Sequence, residues 1–135
     1  MSSNFSLTNT ASVDKVTNPD NLKFSEKLRT LYIGEDSGMH VNNFLWDYNV
    51  DTKKLSRILS VPAGAESTGL QAVDKLNGFS YIMSKFQHAG DWTAIHSVVK
   101  VGADPLINAN WTNKKSAAIG YLSGLPALWA RAVQV

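Results

Sequence analysis

Two stretches of the chain carry the same succession of apolar residues and turn chemistry. Leu22 in "PDNLKF" and Leu70 in "STGLQAV" stand 48 positions apart, and Leu31 in "TLYIG" and Tyr81 in "SYIMS" stand 50 apart. A period of this length, built from short runs and not from long amphipathic segments, leaves room in each copy for one small antiparallel sheet. Sheets that recur at about 40–50 residues are what the blades of a β-propeller give. The first copy supplies four strand candidates in a row: "NLKF" (21–24), "TLYIGE" (30–35), "FLWDYNV" (44–50) and "LSRILSV" (55–61). In the third, alternation sets Phe44, Trp46 and Tyr48 on one side and Leu45, Asp47 and Asn49 on the other, and "DTKK" follows as a hairpin connection. The second copy begins with "TGLQAV" (68–73) and "SYIMSKF" (80–86). An unrelated meander with extra strands is the plainer alternative.

The expected fold class is therefore all-β, a partial β-propeller of about two four-stranded antiparallel blades. Residues 1–17, rich in Ser, Thr and Asn, read as a lead-in, either a loop or poorly ordered, 18–128 as the blades, and 129–135 as a tail. Residues 88–118 show no clean period and contain Gly90, Gly102 and Pro105, so they read as an irregular excursion with room for a short strand at "HSVVKV". "AIGYLSGLPAL" (118–128) offers a last strand and a turn.

Composition excludes several function classes. With 13 basic and 11 acidic side chains the net charge is +2, and the basic residues are scattered apart from Lys53-Lys54 and Lys114-Lys115. Charge alone gives no reason to expect a nucleic-acid or membrane-surface partner. Cysteine is absent, which removes disulfides, zinc-thiolate sites and thiol nucleophiles from this chain. No apolar stretch approaches the roughly 18 residues of a membrane span, and the first residues lack a basic region followed by an apolar one, so any export signal is expected outside the chain. A Gly-rich phosphate loop, HExxH, GxSxG and the dinucleotide fingerprint are all missing.

If the first strand of each sheet lines a channel, it starts at one mouth, and the second strand, returning antiparallel, ends there. That topology gathers the entries "NPDN" (18–21) and "GAESTG" (64–69) with the exits "GED" (34–36) and "KFQHAG" (85–90). Asp20, Asn21, Glu35, Asp36, Glu66, Thr68, Lys85, Gln87 and His88 would then ring one pocket. Clustered carboxylate and amide oxygens suit a hard cation such as Ca²⁺, and without one the carboxylates repel each other. Lys85, with His40 or His88, would suit an oxyanion. Plainer roles stand beside these. Asp20-Asn21 fits an Asx turn, Glu35-Asp36 a solvated hairpin end, and His88 or His96 an ordinary hydrogen-bonded histidine.

The ordered set "NPDNL", "LYIGEDS", "H.NN.LW.Y", "L.RIL", "PAGAE.TGL" and "SYIMSKFQHAGDW" resembles the C-terminal part of the PhoX-type alkaline phosphatases, bacterial six-bladed β-propellers. The resemblance runs from about Asn18 to Trp92, and "NKKSAAIGYLSGLPAL" is similar to endings seen in some members. It implies a periplasmic or secreted phosphomonoesterase acting on small phosphate esters, with calcium and iron (Ca²⁺ and Fe³⁺) in the channel mouth. Glu35 and Glu66 are the metal-ligand positions that the resemblance carries over, followed by Asp20, Asn21 and Asp36. His88 is a candidate metal ligand or phosphate contact, and Lys85 and His40 are candidates for phosphate contact. The resemblance also implies that this chain is a C-terminal portion of a larger protein, inactive alone, whose partners are the remaining blades. The family's iron site draws a cysteine from an earlier blade, and none is present here. Two alternatives remain: a non-catalytic calcium-binding propeller segment, and a lactonase-like esterase propeller, in which "PDNL" lies near a single calcium.

Overall fold

A computed structural model describes residues 9–113 and 116–126. These form two antiparallel sheets and one α-helix, so the chain is mostly β. The first sheet is a four-stranded meander in the order β1 (Pro19–Ser25), β2 (Thr30–Glu35), β3 (Phe44–Asn49) and β4 (Leu55–Ser60). The second has the order β5 (Glu66–Leu76), β6 (Phe79–Gln87) and β7 (Ala118–Pro126). Among the described residues it has three strands, one fewer than the expected four. The expected tail, 129–135, lies outside the described residues.

The strands follow from alternation. In β3, Leu45 is fully buried between the sheets, whereas its neighbour Trp46, 2% exposed, packs on the other face beneath Phe44 and the Arg57 guanidinium. Burying a side chain the size of Leu45 contributes about 1.5–3 kcal/mol. Tyr32, Leu45, Leu70 and Ile82 form the inter-sheet core, flanked by Leu28, Ile58, Ala72 and Leu122. Burial pushes the Tyr32 hydroxyl up to about 12, with the charges of Asp47 and Asp74 adding to the effect.

The sheets stack face to face, with β5 against β1 and β2. Two polar ties join β1 to β5, Gly69 N donating to Asn21 Oδ1 at 3.1 Å and Ser25 Oγ to Asp74 Oδ1 at 2.8 Å. Both couple residues 48 or 49 apart, so the sequence repeat is also a spatial pairing of first strands. Gly34, the register partner of Asn21, permits the close crossing at the Asn21 end. A Cβ there would lie 2.2 Å from the Ser67 carbonyl oxygen, a separation that no side chain tolerates.

The expected excursion is not irregular throughout, and "HSVVKV" is helical, not a strand. A 3₁₀ turn (Ala94–His96) leads into α1 (Ser97–Asn110). Thr93 and His96 cap the turn reciprocally, and Trp92 Nε1 donates to Asp104 Oδ1 at 2.6 Å, pinning the helix to its approach. Ile107 is buried in a second cluster with Val61, Ala65 and Ala89, flanked by Phe86, Trp92 and Trp111. The β-branched run Val98, Val99, Val101 and the internal Pro105 disfavour a helix locally, and these tertiary anchors override that preference. Residues 9–17 form a loop without helix or strand, and it is tied down. Thr10 N donates to the Met39 carbonyl and Val41 N to Asn9 Oδ1, fastening residues 9–17 over the β2–β3 connection.

Gly34→Ala is expected to destabilise the chain by about 1–3 kcal/mol or more, as overpacking does, because backbone and not a flexible side chain stands in the way. Urea denaturation checks this. An unchanged midpoint would mean that the sheets do not cross at Gly34.

Candidate functional site

The strand registers bring one end of both sheets together. Pro19 pairs with Glu35 where β1 begins and β2 ends, and Glu66 pairs with Gln87 where β5 begins and β6 ends. The connections 36–43, 61–65 and 88–93 meet at that end. Gly64, at φ +75°, takes a left-handed turn in which a Cβ would press on the Asp91 backbone at 2.9 Å, so the third connection lies directly on the second.

The polar stretch "GEDSGMHVNN" divides into two kinds of group. Glu35 is fully buried. Its Oε1 accepts from Thr17 N (2.7 Å) and Thr17 Oγ1 (2.9 Å) and lies 3.1 Å from His40 Nδ1, while its Oε2 accepts from Phe44 N at 3.1 Å. His40 Nε2 faces the Ser12 carbonyl at 3.1 Å. Both ring nitrogens are thus engaged, Nδ1 with the Glu35 carboxylate and Nε2 with the Ser12 carbonyl. Asn43 donates to the Ala65 carbonyl (2.9 Å) and accepts from Ser37 N (3.0 Å), and Asn42 donates to the Val61 carbonyl (2.8 Å). Glu35, His40, Asn42 and Asn43 therefore clasp the loops to each other. Removing one partner of such a buried pair costs about 3–5 kcal/mol.

Asp36 is the residue that faces the other way. It lines a polar cavity of about 320 Å³ with Glu66, His88, Asp91, Thr93 and His96 among its walls. Its carboxyl is held above the usual carboxylate range, first by burial, then by the charge of Glu66, by a hydrogen bond with Glu66 and by the charge of Asp20; His88 opposes the shift. Gln87 Nε2 donates to Glu66 Oε1, and His88 Nε2 lies 3.4 Å from the same oxygen. His88 sits at φ +62°, a left-handed conformation uncommon for a residue with a Cβ, and its side chain is 40% exposed.

Of the residues expected in one ring, Asp20, Asp36, Glu66, Gln87 and His88 come together. Glu35 and His40 lie inward, with their polar atoms engaged in the clasp. Asn21 spends its Oδ1 on Gly69 and its Nδ2 on Asp20. The Lys85 side chain runs along Gly69, away from the residues that line the polar cavity. Among the described residues no three of His, Asp and Glu converge closely enough to form a metal site by themselves.

Asp91, Thr93 and His96 were not among the expected site residues. His96 is 3% exposed. Its Nδ1 accepts from Thr93 N at 3.0 Å, which places the proton on Nε2, donated to the Val41 carbonyl at 3.1 Å. Burial lowers its pKa below the ordinary 6.5, outweighing the Val41 carbonyl and the Asp91 charge, which favour the charged ring. The sequence signal was the "T-x-x-H" spacing of a reciprocal cap, a pattern more familiar with Glu or Gln in the last place.

The chain matches no family model, no curated protein and no solved structure in the three comparisons made.

A neutral buried histidine has a defined pH signature. The unfolded chain binds a proton at His96 as pH falls through about 6.5, whereas the folded chain binds it only at lower pH. The contribution of His96 is therefore complete above about 6.5 and declines as pH falls below it. Urea midpoints measured from pH 7.5 to 5 should fall with acidification, and His96→Gln should flatten that slope; equal slopes would place the titration elsewhere.

Proposed function

We propose that the strand-end cavity binds a hard divalent cation through Asp36 and Glu66, and that the chain is a blade pair of a metal-dependent phosphomonoesterase propeller. The observation that carries the first half is the Asp36–Glu66 contact. Two carboxyls share a hydrogen bond with the Asp20 charge close by, at a place where Asp36 is partly desolvated. In the absence of a cation that arrangement holds the Asp36 carboxyl above the usual carboxylate range, so it keeps its proton more readily than a free aspartate does. A cation with oxygen-ligand chemistry, calcium above all, would replace the proton and relieve the repulsion.

The donor set fits calcium better than iron. Oxygens predominate, and cysteine is absent. Asp36 and Glu66 would hold the ion, Asp20 would add charge at the rim, and the ordered remainder of the coordination would come from water or a phosphoryl oxygen. A cation bound there polarises a phosphoryl oxygen. His88, half out of the cavity and within reach of Glu66, is placed to donate to a phosphate oxygen or leaving group. The phosphoester half of the proposal is supported by the resemblance of "NPDNL", "GEDS", "PAGAE.TG" and "QHAG" to the PhoX-type enzymes. It implies periplasmic or secreted placement and further blades around the channel. Among the described residues no helix is long and apolar enough to cross a membrane.

A second reading, a non-catalytic calcium-stabilised propeller segment, is favoured by Glu35. The carboxylate that the resemblance nominates first already has both oxygens engaged within the protein.

Thermal unfolding with and without calcium, together with hydrolysis of an aryl phosphate, tests both. Calcium should raise the midpoint of the native chain and leave Asp36→Asn and Glu66→Gln unmoved. Asp36→Asn should itself be more stable than the native chain in chelator at neutral pH, because the folded-state pKa of Asp36 is raised and its ionisation costs stability as pH rises through that value. A calcium response that survives both substitutions would remove the site. Calcium-dependent hydrolysis lost in Glu66→Gln would favour the phosphatase, and a calcium response with no hydrolysis in a chain carrying all its blades would favour the structural segment.

A further inference from the structure

The two sheets leave two apolar faces open, and each is the counterpart of a face already buried inside the chain. On the first sheet, Leu22 pairs with Ile33 and Phe24 with Leu31, which puts all four on the side away from the second sheet. Leu22 is 61% and Phe24 44% exposed; farther out on the same face, Trp46 is covered by Arg57 and Phe44. On the second sheet, Gln71, Met83 and Tyr121 lie in one cross-strand row and Lys85 and Ile119 in another, on the side away from the first sheet. Tyr121 is 63% and Ile119 75% exposed, and the Tyr81 and Tyr121 rings lie 5.8 Å apart across that surface.

The sequence repeat relates these faces. Leu22 corresponds to Leu70, and Leu70 is buried in the inter-sheet core. The open Leu22–Phe24 face of the first sheet is thus the equivalent of the face by which the second sheet packs. Aligning "LYI" (31–33) with "SYI" (80–82), one position short of the Leu31–Tyr81 spacing, makes Tyr32, which faces the second sheet, the counterpart of Tyr81, which faces away from the first. The open Tyr81–Tyr121 face is therefore the equivalent of the Tyr32–Leu45 face that receives the second sheet.

We propose that the 135-residue chain associates head to tail with a second copy of itself, the Leu22–Phe24 face of one copy seating on the Met83–Tyr121 face of the other and repeating the internal sheet-on-sheet contact. Such an interface is heterologous: two different patches meet, and assembly continues until a ring closes. Charge at the strand ends agrees with this pairing. Inside the chain, Asp36, just past β2, meets Glu66 at the start of β5. The equivalent contact between copies brings the end of β6, where Lys85 stands on the open face, toward Asp20 at the start of β1 of the second copy. Opposite charges meet there, in contrast to the internal pair. The proposal does not depend on what binds in the cavity, although it would add a carboxylate of the second copy to its rim.

Analytical ultracentrifugation of the native chain, Leu22→Glu, Tyr121→Glu and an equimolar mixture of the two variants tests it. Both positions are exposed, so circular dichroism and the urea midpoint should stay close to native and exclude misfolding. The native chain should sediment as assemblies of two or more chains at micromolar concentration, and each variant alone should sediment as a single chain. The mixture should give a dimer and nothing larger, because one intact face of each kind survives in it. A monomeric native chain would overturn the proposal and leave these faces to blades of a longer chain. Single variants that still assemble, or a mixture that stays monomeric, would overturn it equally, the last because it indicates a contact of like with like.

Discussion

The buried carboxylate of Glu35 is the contact on which the functional end of the molecule depends. It terminates β2, accepts the Thr17 and Phe44 backbone N–H groups, and meets His40, so one side chain ties the approach to β1, the end of β2, the β2–β3 connection and the start of β3. Only with this end closed does Asp36 emerge at a fixed place. The neighbouring Asn42 and Asn43 extend the clasp to the connection that leads into β5, so the position of Glu66 relative to Asp36 is set by the same network. A buried charge without such partners would be strongly unfavourable, which gives the local sequence its unusual density of polar groups.

Most of the sheet structure was legible because alternation and turn chemistry are local signals. The strands from β1 to β6 fall within a few residues of the runs that predicted them, and the meeting of strand entries with exits follows from antiparallel topology alone. What alternation cannot give is which way a side chain at a strand end turns. Glu35 and Asp36 are adjacent and chemically alike, yet one lies inward among backbone donors and the other lines the cavity. Their difference is decided by Thr17 and His40, which are 18 and 5 positions from Glu35. The helix at Ser97–Asn110 was hidden for another reason. Its valines and proline argue against helix in isolation, and its support comes from Trp92, Phe86 and Trp111 around Ile107. The spacing of Asp104, Ile107, Asn108 and Trp111 was the available sign, obscured by Gly102 and Pro105.

The two sheets also explain each other's chemistry. Gly34 and Gly64 let backbones approach where side chains would collide, and this closeness is what leaves the Asp36 and Glu66 carboxyls sharing one cavity. The apolar core between the sheets holds the arrangement against the repulsion of those carboxyls. Among the described residues the outer faces carry the same kind of residues exposed, so the inter-sheet contact is a unit of construction that they offer twice more.

The most direct test of the proposed division of labour is a calcium titration followed through the side-chain carboxyl ¹³C resonances. Asp36 and Glu66 should shift together along one binding curve while the Glu35 resonance holds its position, since its oxygens already serve the clasp. A shift centred on Glu35 with Asp36 unmoved, or no shift in any of the three, would contradict a cation site built from Asp36 and Glu66.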